Sequence, residues 1–401
     1  MKNLALLVLA TSCHGETAAP PRDATTVAKT NAPAGPTFDA SESHRPGYAG
    51  FDDEVAFLRA HGANVEIVAA GTGHFAIASN LQTRVMTSEV EPHGRSLGFV
   101  HHAFIEAGKT GTPFDNYGGE DRFWLGPEGG PWGLYFPPRA PYEFKLWQTP
   151  HDLQEGALRT VHVTNHDGVA FDVAVERRIV AAPAPPVTIG SNVKWVGFTS
   201  ENVITNTGAR AWSDRDGMIS IWILSMFAPS PDTKIIAPFA PGEGPIVNDR
   251  YFGKVPAERL VVRDHFIVMT ADGNYRSKIG VPPGRARQAI GSYSPSLDLL
   301  TVVTFTDLKP RGYVNSLWED QKDPLSGDAV NAYNDGPTEP GKPSLGGFYE
   351  LETSSPALSL APKASARHDQ TTYHFVGDRA ALESIAQAML GVSLAEVVAA
   401  R

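Results

Sequence analysis

Apolar and polar side chains alternate, or β-branched residues form short runs, over most of the chain between residues 65 and 375. Gly, Pro, Asn and Asp separate these segments, which is typical of strands joined by turns. No amphipathic repeat long enough for a crossover helix lies between them. The pattern therefore predicts a mainly β, antiparallel sandwich or barrel rather than a doubly wound fold. The predicted strands cover 65–69, 74–79, 83–87, 160–163, 170–179, 193–206, 219–226, 259–270, 299–306, 347–353 and 371–375.

Helical spacing of apolar residues occurs at the two ends of this β-rich region. Phe51, Val55 and Leu58 recur at that spacing, and acidic residues occupy the first turn, where the helix dipole favours them. Residues 378–400 show the same repeat over a longer stretch. The sequence predicts a short N-terminal helix and a C-terminal helix or helix pair packed on a sheet.

The first thirteen residues have the pattern of an export signal. Lys2 precedes an apolar run over 4–10, and small residues lead into Cys13, the only cysteine of the chain. The run is too short for a membrane-spanning helix, so 1–13 is interpreted as a lipoprotein signal peptide with a lipobox, and Cys13 as its acylation site. A cleaved secretory peptide or a buried cysteine are the alternatives.

Residues 14–48 are rich in Ala, Pro, Thr and Ser and nearly lack large apolar side chains, which predicts a disordered tether. The remaining residues, 49–401, are long enough for one large sandwich domain that includes the helical tail. The expected location is the cell envelope, on the periplasmic or outer-membrane face. The expected contact with the membrane is through the lipid anchor alone.

The net charge of −10 argues against nucleic acid or anionic lipid as a partner and favours neutral or cationic ligands. With Cys13 assigned to lipid, no thiol is left for a disulfide, a thiolate metal site or a nucleophile. No phosphate loop, His-Glu-x-x-His zinc site or Gly-x-Ser-x-Gly motif occurs. We therefore expect no cofactor and no metal, and a monomer, since no signal for an oligomer is visible.

A first cluster of candidate chemistry lies in residues 116–132, where two Gly-Gly pairs allow close backbone approach. Its charged members are Glu120, Asp121, Arg122 and Glu128, and its aromatic members are Tyr117, Trp124 and Trp132. Aromatic faces stack on sugar rings, and planar charged groups take adjacent hydroxyls in paired hydrogen bonds. A carbohydrate contact is the functional interpretation, and a turn-rich loop with Arg122 paired internally is the alternative.

A second cluster lies in residues 313–319 and 326–337. Its candidates for sugar contact are Asn315, Trp318, Glu319, Asn331, Asn334 and Asp335. Binding groups concentrate on loops of β scaffolds, and this segment is rich in Gly, Asp and Asn. Two alternatives stay open: oxygen ligands for Ca²⁺, although the spacing is not that of an EF-hand, and simple turn chemistry.

A third cluster lies in residues 346–356. Side chains alternate along a strand, so Glu350 and Glu352 point to the same face and stand side by side. Neighbouring like charges raise the pKa of one carboxyl group, and a carboxylate so perturbed can act as a general base near neutral pH. A solvated polar face is the alternative.

The same C-terminal region resembles the last strands of aldose 1-epimerases. The likeness rests on Leu-Glu-Thr at 351–353, Pro356, Ala-Pro at 361–362 and Thr-Thr-Tyr-His-Phe at 371–375. The resemblance implies a galactose-mutarotase-like β-supersandwich in which Glu352 is the general base that takes the proton of the anomeric hydroxyl. Residues 51–401 also resemble a family of bacterial lipoproteins with this supersandwich, which implies no particular reaction. The segments that carry this likeness are 81–88, 118–129, 275–280, 313–318 and 331–337.

One departure from the epimerase pattern concerns the general acid. Val-Ile-Thr-Asn-Thr-Gly at 203–208 resembles the strand and turn that precede a His-Pro-Tyr-Phe-like motif in those enzymes. The corresponding stretch here, 220–227, contains no histidine. His265, in an alternating segment, is a candidate substitute for the acid, and Lys278 is a candidate partner for an anion or a hydroxyl.

Three functions therefore stay open. The first is an enzyme that acts on a sugar, an aldose 1-epimerase-like isomerase or another carbohydrate-active enzyme, with Glu352 as base and Arg122 orienting the substrate. The second is a carbohydrate-binding protein without turnover. The third is a structural envelope protein whose polar clusters brace loops. The first two require Arg122, Trp318 and Glu352 to converge on one hollow.

Overall fold

The computed structural model describes residues 49–108, 116–141, 158–337 and 341–400. Within these ranges the chain forms seventeen strands and four α-helices. The helices are α1 (Phe51–Ala60), α2 (His102–Ala107), α3 (Arg379–Leu390) and α4 (Leu394–Ala399). The predicted signal peptide, Cys13 and the tether lie outside the described residues, so these assignments stay predictions. In the described part of the chain, no helix is both long enough and apolar enough to cross a membrane.

The strands follow one another with few helical interruptions. They are β1 (Val65–Ala70), β2 (Gly73–Ala78), β3 (Arg84–Glu89), β4 (Arg122–Gly126), β5 (Leu158–Thr164), β6 (Ala170–Ala181), β7 (Lys194–Asn206), β8 (Ser220–Phe227), β9 (Lys234–Pro238), β10 (Leu260–Val262), β11 (Phe266–Thr270), β12 (Ser277–Val281), β13 (Ala289–Ser294), β14 (Leu299–Phe305), β15 (Val330–Asn334), β16 (Tyr349–Ser354) and β17 (Ser365–Val376). The predicted mainly β class is confirmed.

Three sheets contain these strands, and every strand pair within them is antiparallel. The nine-stranded sheet has the order β10-β11-β9-β13-β14-β17-β7-β6-β5, the five-stranded sheet has β12-β15-β16-β8-β4, and the smallest has β1-β2-β3. Phe123 and Ile223 of the five-stranded sheet pack with Val173 and Ile204 of the nine-stranded sheet. One face of each large sheet therefore forms the sandwich core.

The C-terminal helices cover the other face of the nine-stranded sheet. Leu382 and Ile385 of α3 and Val397 of α4 pack with Val302 and Phe375 of the sheet. The Asp378 side chain accepts a hydrogen bond from the Ala381 backbone N–H at the start of α3, and Gly391 ends that helix with φ 71°. The predicted N-terminal helix and C-terminal helix pair are both confirmed.

Several strands lie in segments that the pattern did not predict as strands. They are β4, β9, β12, β13 and β15, and the predicted strand over 259–270 is interrupted between β10 and β11. On β4, β12 and β15 the outward positions carry Arg122, Lys278 and Asn331, which are buried although polar. Alternation of apolar and polar residues is a weak signal when both faces of a strand are covered.

A fully buried ion pair joins two of the sheets. Arg177 Nη2 on β6 lies 2.6 Å from Asp121 Oδ2 beside β4, and Arg177 also donates to the Gln82 carbonyl and to Asn202. Asp121 accepts a second bond from the Val85 backbone N–H. Burial raises the pKa of Asp121 to about 6, and the Arg177 charge opposes that rise. The pair is a structural brace.

Replacing Arg177 by Met is expected to lower the free energy of unfolding by about 3–5 kcal/mol, because it leaves a buried carboxyl group without its partner. The matched control is Arg178→Met, which breaks a 3.5 Å contact with Glu201 at a site where the Arg178 side chain is 72% exposed. That change is expected to cost about 0–1 kcal/mol. Urea unfolding midpoints measure the stability of both variants. Equal decreases in the two variants would contradict the role of the Arg177–Asp121 pair as a structural brace.

Candidate functional site

The outward face of the five-stranded sheet carries a row of polar and aromatic side chains. Glu352 on β16 lies opposite Asn331 on β15 and Leu224 on β8, and Leu224 lies opposite Arg122 on β4. Residues directly opposite one another share a face, as do residues two apart on one strand. The polar and aromatic residues of this face are Arg122, Trp124, Trp222, Lys278, Asn331, Tyr333, Glu350 and Glu352.

Glu352 lies at the centre of this face and is fully buried. Its Oε2 accepts hydrogen bonds from Lys278 Nζ at 2.9 Å and from Trp222 Nε1 at 3.0 Å. The Lys278 ammonium also lies 4.6 Å from the centroid of the Trp222 ring, a cation–π contact. The other oxygen, Oε1, is buried and has no hydrogen-bond partner among the described residues. A buried acceptor without a partner costs about 1–3 kcal/mol, so Oε1 is a point at which a ligand donor would be stabilised.

Glu350 and Arg122 form a second hydrogen-bonded pair of an acidic and a basic side chain on this face. Arg122 Nη2 donates to Glu350 Oε1 at 3.1 Å, and the Arg122 guanidinium lies 4.8 Å from the centroid of the Trp124 ring. Burial raises the pKa of Glu350 to about 8; Arg122 opposes the rise and the neighbouring Glu352 charge adds to it. Burial thus favours the protonated form of Glu350 more than it would be favoured in an exposed glutamate.

Lys278 stays charged in spite of its burial. Burial lowers its pKa, but the carboxylates of Glu352, Glu128 and Glu350 together outweigh burial and raise the pKa above the ordinary value. Glu128 comes from the loop after β4 and hydrogen bonds to Trp318, and burial raises its pKa. The Glu128 carboxyl group of the loop therefore belongs to one electrostatic cluster with Lys278, Glu350 and Glu352 of the strands.

A polar network supports the Lys278 side of the cluster. The Tyr251 hydroxyl donates to Asp328 Oδ2 at 2.7 Å and accepts from Asn331 Nδ2 at 3.0 Å. The Tyr251 ring centroid lies 5.4 Å from Lys278 Nζ. Burial raises the pKa of Asp328 to about 6, and the Tyr251 hydrogen bond opposes the rise.

The loop that carries Tyr251 is tied to the edge of the sheet. Asn248 and Gly280 exchange two backbone hydrogen bonds, each 2.8 Å long. A Cβ atom at Gly280 would lie 2.0 Å from Asp328 Oδ2, so the carboxyl group passes over a position where only glycine leaves room. Asp328 also accepts from Asn248 Nδ2 at 2.9 Å. This arrangement fixes the Tyr251 loop against β12.

Half-buried aromatic rings border the cluster. The Phe136 and Trp318 rings are stacked with centroids 3.9 Å apart, and Phe252 meets Trp318 edge-on at 5.8 Å. Arg276 lies over the Phe252 ring, with the guanidinium carbon 4.1 Å from its centroid. Flat apolar surfaces next to charged hydrogen-bonding groups match the two kinds of surface of a sugar ring.

The structure brings a majority of the predicted site residues together. Those in or beside the cluster are Arg122, Trp124, Glu128, Lys278, Trp318, Asn331, Glu350 and Glu352. Glu319 pairs with Arg250 at 3.4 Å near the Tyr251 loop. Sequence reasoning missed Trp222, Tyr251, Asp328 and Arg276. Trp222 lies in an apolar run that is typical of core, and Tyr251 lies in no motif. Asp328 falls within the second cluster and Arg276 lies two residues before Lys278, but neither was selected as a site residue.

Glu120 and Asp121, predicted as sugar contacts, are instead engaged in buried internal contacts. Glu120 accepts from Ser88 and pairs with His374 Nε2 at 2.8 Å. Asp121 pairs with Arg177. Their partners come from strands far away in sequence, so local composition gave no sign of these bonds.

Three further predicted contacts brace turns. Asn315 accepts from the Leu317 backbone N–H, Asn334 accepts from the Gly273 backbone N–H, and Asp335 accepts from the Gly347 backbone N–H. Turn chemistry, the alternative interpretation of these side chains, is the one that their contacts support. In the described ranges, no group of three or more His, Cys, Asp or Glu residues is arranged to hold a metal ion.

His265, the predicted substitute for the general acid, lies away from the cluster. It is exposed, precedes β11 rather than belonging to a strand, and its Nε2 lies 3.0 Å from the carbonyl of Gly391 at the end of α3. The alternating pattern placed it in a strand that the structure interrupts at this position. His265 is therefore not positioned to protonate a ligand at Glu352.

Solved structures with similar folds were found at low sequence identity. A protein from Synechocystis sp. PCC 6803 has TM-score 0.43 and 10% identity over 79% of this chain and 96% of that one. A candidate aldose 1-epimerase from Escherichia coli K12 has TM-score 0.44 and 12% identity over 79% and 100%. A galactose mutarotase-like protein from Clostridium acetobutylicum has TM-score 0.37 and 9% identity over 77% and 94%. At these scores the likeness says nothing about the chemistry of the site.

The sequence comparisons identify a family but no activity. No curated protein sequence matches the chain. One family model matches residues 49–401, which is the whole predicted domain. The chain therefore belongs to DUF6786, a family of unknown function.

Proposed function

We propose that the outward face of the five-stranded sheet binds a carbohydrate and carries out acid/base chemistry on it. The observation that carries the proposal is Glu352, whose Oε2 is fixed by Lys278 and Trp222 while its buried Oε1 has no partner among the described residues. A sugar hydroxyl at Oε1 would supply the missing donor, and because Glu352 is fully buried, the covering side chains have to move aside for it to enter. Glu352 is then the group that accepts the hydroxyl proton.

Glu350 is the proposed acid that complements this base. It stands two residues from Glu352 on the same face, about 7 Å away along the strand. Its pKa of about 8 keeps it protonated at neutral pH, ready to donate. A protonated Glu350 would thus do the work of the histidine that the stretch Ser220–Phe227 lacks.

The proton movements balance for the interconversion of sugar anomers. Glu352 takes the proton of the anomeric hydroxyl, the bond between the ring oxygen and the anomeric carbon breaks, and Glu350 gives its proton to the ring oxygen. Closure on the other face of the carbonyl reverses both transfers, so no other reactant is consumed. Arg122, bonded to Glu350 at 3.1 Å, would hold the acid in place.

Carbohydrate binding without turnover is the second candidate. The favouring observation is that each glutamate is already bonded to a cation, Glu352 to Lys278 and Glu350 to Arg122, and that all four side chains are almost fully buried. Such pairs can hold a binding surface rigid without exchanging protons. Turnover by the wild-type protein separates the two candidates.

Replacing Glu352 by Gln is expected to lower the rate of anomer interconversion at least about 100-fold, since the amide cannot accept the proton. NMR exchange spectroscopy over a panel of aldoses measures the rate, and titration calorimetry measures binding. Glu396→Gln, at an exposed position of α4, is the matched control and should keep the wild-type rate. Equal rates in wild type and Glu352→Gln on every sugar would contradict the acid/base proposal.

The pH profile tests Glu350. Only its protonated form donates, so kcat/KM is expected to fall as pH rises through about 8. Arg122 lowers the pKa of Glu350, and Arg122→Gln should therefore move this fall in kcat/KM to higher pH. If kcat/KM of Arg122→Gln falls at the same pH as that of the wild type, a group other than Glu350 controls the profile.

We also propose that the protein is exported and held at a membrane through lipid on Cys13, as the leader pattern predicts. Expression with a labelled fatty acid should label the wild type and not Cys13→Ala, and fractionation should move the variant from the membrane to the soluble fraction. A Cys13→Ala protein that is labelled and stays with the membrane would contradict the anchor.

A further inference from the structure

Arg276 is a guanidinium group beside the cluster that the proposed chemistry does not use. It precedes β12 and lies two residues before Lys278, on the same side of the chain as that residue. The side chain is half-buried, and its guanidinium carbon lies over the Phe252 ring, 4.1 Å from the ring centroid, a cation–π contact that restrains the side chain. A guanidinium group presents paired N–H donors that match a planar anion.

The described residues give Arg276 no hydrogen bond and no ion pair, and its Nε is buried without a partner. Other guanidinium groups in this part of the molecule are paired. Arg122 bonds to Glu350. Arg259, stacked over Tyr275 at 5.1 Å in the same manner as Arg276, lies 2.6 Å from Asp272. Arg276 therefore has the stacking contact without the carboxylate that accompanies it at Arg259.

The neighbouring acids are committed to other contacts. Asp335 accepts from the Tyr333 hydroxyl at 2.9 Å with one oxygen and from the Gly347 backbone N–H at 2.8 Å with the other. Glu128 hydrogen bonds to Trp318, and its strongest charge interaction is with Lys278. Both acids act on Arg276 through space only, which leaves its donors available to a ligand.

We infer that the sugar bound at this site is an acidic one and that Arg276 binds its carboxylate. The inference rests on the proposed function and names its substrate class, a uronic acid. A carboxylate matches the two parallel N–H donors of a guanidinium and carries one charge. A phosphate ester would bring a charge of about −1.5 to −2 close to Glu128 and Asp335. The chain charge of −10 favours neutral or cationic ligands overall, but the local guanidinium governs this position.

Titration calorimetry with matched sugars tests the inference. The pairs are glucuronate with glucose and galacturonate with galactose, and the glucose esters of phosphate and sulfate at position 6 distinguish the anion. Wild type is expected to bind at least one uronate about 10- to 100-fold more tightly than its neutral partner. Arg276→Gln should lower uronate affinity to about that for the neutral partner, and Arg276→Lys, which keeps the charge but loses the two parallel N–H donors, should restore part of the preference.

Arg250→Gln is the control for charge alone. Arg250 is next to Tyr251, and its side chain is 63% exposed, so its loss should change uronate affinity less than about twofold. Equal binding of uronate and neutral sugar by wild type, unchanged in Arg276→Gln, would overturn the inference and leave the proposed function standing. Preference for phosphate or sulfate would overturn the carboxylate assignment. Absence of binding by every sugar would overturn both proposals. Far-ultraviolet circular dichroism checks folding, and Arg276→Lys serves if the glutamine variant is unfolded.

Discussion

The buried ion pair between Lys278 and Glu352 is the interaction on which the arrangement of the site depends. Removing two charges from water is costly, and the cost is offset only where geometry and additional hydrogen bonds are good. Here the pair spans two strand spacings, from β12 to β16, and Trp222 on β8 supplies the further bond. Because either charge alone would be strongly destabilised, the four strands β12, β15, β16 and β8 must keep their register for the site to exist.

The outward face of this sheet differs from the usual solvated face of an antiparallel sheet. Loops that carry Glu128, Tyr251 and Trp318 cover it and remove water from its charged groups. Loss of hydration raises the pKa of Glu350, Glu128 and Asp328, whereas the pKa of Lys278 is raised because its interactions with acidic neighbours, above all Glu352, outweigh burial. The loss of hydration thus acts on carboxyl groups from three separate segments of the chain.

Strand alternation was sufficient to predict β16 and the shared face of Glu350 and Glu352, and helical spacing predicted the C-terminal helix pair. The strands that bring Arg122 and Lys278 to those glutamates could not be predicted, because their outward residues are polar yet buried. Glu120 and Asp121 resembled ligand contacts since their partners, His374 and Arg177, are distant in sequence. Local patterns show which residues share a strand face, whereas pairing between remote strands appears only in three dimensions.

The two backbone hydrogen bonds between Asn248 and Gly280 also affect the outer edge of the five-stranded sheet. β12 is the outermost strand of the five-stranded sheet on that side, and a bare outer strand presents N–H and C=O groups that another chain can pair with. At Gly280 those groups are already occupied by Asn248. The same loop that delivers Tyr251 thus occupies the place beside Gly280 where a strand from a second molecule would otherwise pair.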